Sequence, residues 1–320
     1  MVYVLLILGF VLLIKGADYF VEGASDIAIK ANISPLIIGL TIVAFGTSTP
    51  EAAVSITSAL KGQNDIAIGN VVGSNIFNLL MVVGVAAIIK PLKVQTSIIA
   101  KDFPFAILSA VVILVLGNDL IFQGANQNII SMGDGIILLV LFGIYMYYLI
   151  ELAITGRATQ EPDEENKQSG EINIFKSIIV SVLGLVGVVI GGQFVVDSAT
   201  DIAITWGMSE KLVGLTIVAI GTSLPELVTS IVAAGKGKSD MALGNAIGST
   251  IFNAFFILGM SSMIFPIPVN GAVFTDMLIL ILITIVTYVF AVTKKSINKL
   301  EGSLLVLTYI AYTVFIIIRN

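Results

Sequence analysis

The chain contains no cysteine and no histidine. Their absence excludes disulfides, thiol nucleophiles, Cys/His zinc centres and imidazole proton relays. Charge is also scarce: Asp, Glu, Lys and Arg make up 12% of the 320 residues, where a soluble domain carries about a quarter. The net charge is only −5, and no basic patch suggests a nucleic-acid partner. Any ion site in such a chain must be built from oxygen, and oxygen ligands suit hard cations such as Ca²⁺, Mg²⁺ and Na⁺.

What is abundant is hydrocarbon. Apolar residues make up 57% of the chain, and the mean hydropathy is +1.05. Apolar runs near the ~20 residues that span a bilayer recur from end to end, so the chain reads as an all-α polytopic membrane protein, since lipid tolerates no unpaired backbone. The start, MVYVLLILGFVLL, lacks a basic leader region and reads as a full span rather than a cleavable signal. Ten spans are predicted. The first five are Val2–Lys30, Pro35–Leu60, Ile66–Ile89, Phe103–Phe122 and Gly133–Ile154; the others are Phe175–Thr205, Lys211–Gly235, Met241–Ile264, Val273–Val292 and Gly302–Ile318. Residues 1–155 and 175–320 then form two five-helix halves. Between them, 156–174 reads as an acidic, solvated cytoplasmic linker without the ordered spacing of a calcium loop.

Orientation follows from basic loop residues. With the N-terminus outside, Lys30, Lys90, Lys93, Lys101, Arg157, Lys167, Lys176, Lys236, Lys238, Lys294, Lys295 and Lys299 face the cytoplasm, against Lys61, Lys211 and Arg319 outside. Both termini are therefore expected on the extracellular face of the cell membrane.

A constant shift lays the second half on the first without a gap. GLTIVAFGTSTPE (Gly39–Glu51) matches GLTIVAIGTSLPE (Gly214–Glu226), and KGQNDIAIGNVVGSNIFN (Lys61–Asn78) matches KGKSDMALGNAIGSTIFN (Lys236–Asn253). An odd number of spans per half inverts the second half relative to the first, the plan of secondary transporters with a midplane site at the repeat interface. Duplication for architecture alone leaves unexplained why similarity is densest where polar residues interrupt apolar spans.

Those residues are chemically specific. Pro50 cannot continue a helical hydrogen-bond ladder, so carbonyls around Ala44–Thr47 are expected to be released. Thr47, Ser48 and Glu51 project to one side, as do Thr222, Ser223 and Glu226. The following spans carry Ser74 and Asn78, and Ser249 and Asn253, one turn apart on one face. If the broken helices meet, two carboxylates supply four oxygens, and carbonyls bring the count towards the six to eight of Ca²⁺. One Ca²⁺ or several Na⁺ would cancel the paired charge. Gly69 and Gly73, and Gly244 and Gly248, read as close-packing faces rather than ligands. Glu22, Asp26, Asp197 and Asp201 read as interfacial, and Asp134 as a helix N-cap. Asn32-Ile-Ser34 fits a glycosylation acceptor but falls in a loop placed inside.

The paired G-T-S-x-P-E and G-N-x-x-G-S-x-x-x-N motifs resemble the two alpha-repeats of the calcium/cation antiporter superfamily, and most of all its prokaryotic sodium/calcium exchangers. The resemblance covers the whole chain. It implies Ca²⁺ held by Glu51, Glu226 and the carbonyls of Thr47 and Thr222. It implies one flanking Na⁺ site lined by Ala44, Thr47, Ser48, Glu51 and Ser74, the other by Ala219, Thr222, Ser223, Glu226 and Ser249, with Asn78 and Asn253 at the centre of the cluster. Some members, including the potassium-dependent branch, carry Asp where this chain has Asn253, so the resemblance implies K⁺-independent exchange. It also implies alternating access by sliding of the long first spans of each half, in which Gly16, Gly23, Gly191 and Gly192 could ease movement. No cofactor, nucleic acid or obligate protein partner is implied; the substrates are Ca²⁺ and Na⁺ and the surroundings are the lipid bilayer.

Three other readings compete. Close carboxylates bind protons as well as Na⁺, which allows proton-driven Ca²⁺ export. An intramembrane enzyme would need an acidic pair, but both members here are Glu, and SMGDG around Asp134 lacks the first glycine of G-x-G-D. A channel would need a continuous polar pore rather than a midplane band.

Overall fold

The computed structural model describes residues 2–62, 64–122, 124–159, 173–208 and 219–319; residues 64, 65, 156–159 and 219 are described by backbone alone. The described residues form an all-helical membrane bundle. Eight helices are long and apolar enough to cross a membrane, and a bent pair makes a ninth. In chain order the helices are α1 (Val2–Ala31), α2 (Pro35–Thr47), α3 (Thr49–Leu60), α4 (Ile66–Ile89), α5 (Ile98–Leu116), α6 (Met132–Thr155), α7 (Ile174–Thr205), α8 (Leu224–Gly235), α9 (Ser239–Ile264), α10 (Gly271–Lys294) and α11 (Lys299–Arg319). The span expected from Lys211 lies partly outside the described residues. Only the turn Ala219–Thr222 and the twelve-residue α8 are seen of it. The expected linker lies almost wholly outside them as well.

Polarity is arranged inside out. On α1 the lipid-facing positions include Tyr3, Ile7, Phe10, Val11 and Ile14, while Gly9, Leu13, Gly16, Ala17, Phe20 and Ala24 turn inward. Lipid supplies no hydrophobic force between helices, so close packing of small residues must do the work. Gly9, Gly16 and Gly23 recur every two turns along α1, facing Gly191, Gly184 and Ser177 on α7. A methyl group at Gly16 would lie 2.6 Å from the Val188 nitrogen, and one at Gly184 would lie 2.5 Å from that of Phe20. Of the glycines expected to serve sliding, Gly16, Gly23 and Gly191 lie in this seam. Gly192 instead faces the ring of Pro225. Gly244 and Gly248 pack as expected, against the backbone of Leu36 and Leu40 on α2. Gly69 and Gly73 have no such neighbour among the described residues.

The centre of the bundle is α4 and α9, whose most apolar stretches are 72% and 78% buried, against 17% for α6 and α11. Each central helix crosses an outer one at a glycine pair, Gly84 with Gly302 and Gly259 with Gly135. Two-residue ladders close the loops: β1 (Leu92–Lys93) pairs antiparallel with β4 (Ser296–Ile297), and β2 (Ile129–Ile130) with β3 (Ile267–Pro268).

Several boundaries differ from expectation for identifiable reasons. α5 begins at Ile98 rather than Phe103 because the chain enters it through a π turn, Ile98–Asp102. Pro104 has no N–H for the carbonyl of Ala100, and the widened turn absorbs the defect. The helix stops at Leu116, where Asn118 donates a 2.7 Å side-chain bond to the Leu114 carbonyl; Asp119–Phe122 is a separate turn. Asp134 is not the N-cap. Ser131 precedes the helix, its hydroxyl faces the Asp134 N–H, and the Asp134 carboxylate accepts from the Ser131 N–H and Oγ, both at 2.7 Å, the reciprocal capping box.

The acidic residues near the ends of α1 and α7 are partly paired. Lys236 Nζ lies 2.5 Å from Asp18 and 3.7 Å from Glu22. Asp26 accepts a 3.2 Å bond from Ser177, and Asp197 one of 2.7 Å from Gln193. Lys238 donates to Ser25 at 2.6 Å, and burial holds its ammonium below the ordinary lysine value.

Candidate cation site

The site starts with two helix breaks. Ser48 (φ −80°, ψ 8°) separates α2 from α3, and Ser223 (φ −94°, ψ 8°) stands at the same point before α8. Each proline follows the break within the first turn of the next helix, where a missing N–H costs nothing. The first break bends the helix pair by 48°. Two of the carbonyls expected to be released, those of Ala44 and Phe45, are taken up by other donors. Ala44 O receives the Ser48 N–H at 3.0 Å, the Thr47 hydroxyl at 3.3 Å and the Ser249 hydroxyl at 3.3 Å. Val43 O and Phe45 O take the hydroxyls of Thr47 and Thr49 at 3.0 and 3.2 Å. The threonines and serines of this motif re-satisfy backbone that lipid could not.

The breaks bring Glu51 and Glu226 into the interior, both fully buried. Each is held by the serine of the opposite half. Ser48 Oγ donates to Glu226 Oε1 at 2.8 Å, and Ser223 Oγ donates to Glu51 Oε1 at 2.9 Å. The second oxygen of each carboxylate has no hydrogen-bond partner among the described residues. The Oγ of Ser74 and the whole amides of Asn78 and Asn253 are also buried without hydrogen-bond partners among the described residues. Buried polar groups are seldom left so, and an unpaired buried carboxylate is costly enough to demand a compensating positive charge. Among the described residues no three acidic side chains gather, so any charge held here is matched by two carboxylates.

Of the residues predicted from sequence, Thr47, Ser48, Glu51, Ser74, Asn78, Ser223, Glu226, Ser249 and Asn253 are all buried. Ala44 is in contact through its carbonyl. Thr222 is half-buried at the end of its short turn, and Ala219 is placed by backbone only. Two further residues escaped the sequence reading. Asn70 donates to the Glu51 carbonyl at 3.2 Å and to Ser55 at 2.9 Å. Asn245 repeats this with the Glu226 carbonyl at 3.3 Å and Ser230 at 2.9 Å. Each faces a threonine of the other half: Thr47 Oγ1 lies 3.1 Å from Asn245 Oδ1, and Thr222 Oγ1 lies 3.5 Å from Asn70 Oδ1. Their signal was present as the G-N pair identical in both halves. Neither did the sequence indicate that Asn78 and Asn253 each open a π turn, Asn78–Val82 and Asn253–Ile257, a local widening that often marks functional positions.

A family model described as sodium/calcium exchanger protein matches residues 1–151 and 176–318. The chain belongs to the sodium/calcium exchanger family. Members are transporters, not enzymes, and the family supports cation antiport. The sodium/calcium exchanger MaX1 of Methanosarcina acetivorans is 35% identical over 348 residues, covering 98% of this chain and 97% of that one. The inner membrane protein YrbG of Escherichia coli is 35% identical over 289 residues, covering 88% and 86%. Among solved structures, the sodium-calcium exchanger NCX_Mj superposes with a TM-score of 0.83 at 33% identity, covering 97% of this chain and 98% of that one.

Proposed function

We propose that the protein exchanges Na⁺ for Ca²⁺ across the cell membrane through one buried site shared by its two halves. The observation that carries this is the exchange of serine donors, which ties each glutamate to the opposite motif and leaves two carboxylate oxygens facing a cluster of unpartnered amides and a hydroxyl. Glu51 and Glu226 bind Ca²⁺ with the carbonyls of Thr47 and Thr222. Na⁺ occupies flanking positions, one at Ala44, Thr47, Ser48, Glu51 and Ser74, the other at Ala219, Thr222, Ser223, Glu226 and Ser249. Asn78 and Asn253 sit between them. Two carboxylates cancel one Ca²⁺, and Na⁺ competes for the same oxygens. Asn253 adds no charge, which favours exchange without K⁺.

The architecture we infer is ten spans in two inverted five-helix halves, 1–155 and 175–320, joined by a cytoplasmic linker at 156–174, with both termini outside. The matched glycine crossings and the two crossed ladders support that symmetry. Alternating access is proposed to proceed by movement of α1 and α7, packed on each other through the glycine seam, against the remaining helices.

The test is radiolabelled Ca²⁺ uptake into Na⁺-loaded liposomes bathed in Na⁺-free, K⁺-free medium, beside liposomes carrying only a pH gradient. Uptake driven by Na⁺ alone is expected. Uptake driven only by the pH gradient would keep the site and make the coupling ion a proton, and uptake in neither would sink the assignment.

A further inference from the structure

The run Val2–Ile14 on α1 carries no charge, and Lys15 ends it. The Lys15 side chain is exposed and makes no ion pair among the described residues. Ionisable groups inside a span ordinarily face the bundle interior or a polar partner. Lys15 instead borders a cavity of about 370 Å³ along the α1–α7 seam. Leu12, Gly16 and Tyr19 form its α1 wall, and Val180, Leu183 and Gly187 its α7 wall. Tyr19 is 54% and Leu183 64% exposed, so the groove opens away from the bundle. The repeat lays Ile190 on Lys15 and Phe194 on Tyr19. The second half therefore keeps the hydrocarbon and lacks both the ammonium and the hydroxyl, which the shared architecture does not need.

The depth of the groove follows from its neighbours. Lys236 comes directly after α8 and lies 2.5 Å from Asp18 and 3.7 Å from Glu22, which puts that stretch of α1 at the membrane boundary. Lys15 is one turn deeper, about 4.5 Å along the helix. From there a lysine keeps its methylenes in hydrocarbon and its ammonium at headgroup level. Tyr19 stands one turn nearer the boundary, where tyrosine is favoured. On α7 the wall is a single stripe that runs from the exposed Lys176 through Val180 and Leu183 to Gly187. Lys15, Lys176 and Lys236 thus meet two carboxylates, Asp18 and Glu22, and both of these lie within reach of Lys236. Further out, Asp26 and Lys238 add one charge of each sign. The surplus is positive. It belongs to Lys15 and Lys176, neither of which forms an ion pair among the described residues.

We propose that this groove binds one anionic phospholipid from the leaflet at the Asp18–Lys236 end of α1. Lys15 pairs with the phosphate, and the Tyr19 hydroxyl donates to the same group. Lys176 faces the outer part of the headgroup, and one acyl chain lies along Leu12, Val180, Leu183 and Gly187. A free phosphate would leave the apolar part unfilled, and a neutral lipid would leave the positive surplus unmatched. The lipid touches both helices of the pair proposed to move during exchange, but its seat rests on the groove and not on that reading.

The test is native mass spectrometry of the full chain in detergent, titrated with phosphatidylglycerol or with phosphatidylcholine of the same chains. One phosphatidylglycerol is expected to be retained in preference to phosphatidylcholine. Lys15→Gln should weaken that binding about fivefold, the effect of one basic residue near a lipid surface, and Lys15→Arg should keep it. Val180→Trp fills the apolar part without touching the charge and should weaken binding at least as much as Lys15→Gln. Equal retention of the two lipids would mean an ordinary bilayer shell and overturns the proposal. So does a loss in Lys15→Arg as large as in Lys15→Gln, which would make the effect one of packing. Undiminished binding in Val180→Trp would reduce the site to a surface charge contact and overturns it too, as does displacement of the lipid by inorganic phosphate. Thermal unfolding checks the variants, and Leu183→Trp, on the same wall, replaces Val180→Trp if that one unfolds early. No readout uses transport, so a failure of Na⁺-driven Ca²⁺ uptake would leave the result standing.

Discussion

At the first helix break the Ser48 N–H reaches four residues back, to the Ala44 carbonyl; at the second the Ser223 N–H reaches three back, to Ile220. Thr47 is fully buried and Thr222 is half-buried. Ser249 donates to Ala44; its counterpart Ser74 makes no such backbone bond among the described residues. The two motifs are nearly identical in sequence, so the difference comes from what packs on them. Gly244 and Gly248 bring α9 hard against α2 around the first break, and Ala44 receives its extra donor from that approach. Residue type decides which oxygens are available, and packing decides which are already spent. A site whose two walls differ in this way is what the proposed alternating access requires.

The strongest way to break the comparison is to remove one carboxylate at a time. Glu51→Gln and Glu226→Gln are each expected to abolish Na⁺-driven Ca²⁺ uptake in liposomes, since each leaves one negative charge against a divalent ion. A variant that kept half its rate would show that the halves work separately. The serine donors come next. A hydrogen bond to a charged group contributes about 1.5–3 kcal/mol, so Ser48→Ala and Ser223→Ala should each weaken apparent Ca²⁺ affinity by roughly 10- to 100-fold. Equal losses would confirm a shared cluster, whereas a large loss in only one would mean that the asymmetry of the breaks extends to the carboxylates.

Ser74→Ala and Ser249→Ala sharpen the difference between the walls. Ser74 has no backbone partner to lose among the described residues, so its truncation should raise the Na⁺ concentration for half-maximal exchange by a few fold and leave the unfolding temperature unchanged. Ser249→Ala should raise that Na⁺ concentration as well and also lower the unfolding temperature, because it removes a donor from Ala44. The smallest effect belongs to the loops. Lys236 pairs with Asp18 on α1, while Lys61, its counterpart, forms no ion pair among the described residues. Both groups of the Lys236 pair are about a third exposed, and exposed pairs contribute at most ~1 kcal/mol. Lys236→Gln should therefore change exchange by less than about fivefold at low salt and not at all in high salt, and Lys61→Gln should do nothing at either.

The repeat, the breaks and most of the cluster were legible because lipid makes polar residues expensive. Each one in an apolar span had to be accounted for, and each was present twice. What the sequence hid depends on contacts between the halves or on backbone detail. Nothing local says that Ser48 serves Glu226 rather than Glu51, because that choice is made only when α3 meets α8. Asn70 and Asn245 were visible in the motif, but their role in pinning a carbonyl next to each glutamate needs the fold. The π turns at Asn78 and Asn253 are one-residue widenings with no compositional mark. Asp134 was misassigned because its carboxylate and the Ser131 hydroxyl cap the helix jointly, and the acid alone drew attention. The Asp276–Arg319 ion pair joins residues 43 positions apart, beyond any helical spacing.

The crossed ladders have a consequence for biosynthesis. β1 can close only on β4 and β2 only on β3, and Glu51 waits for a hydroxyl that lies in the later half of the chain. During translation the early half is inserted with its loops open and a carboxylate unserved, so it is an unfinished clamp rather than a domain. Two fragments cut in the connecting segment and made together should find each other and assemble, while either one made alone should be recognised as incomplete and degraded.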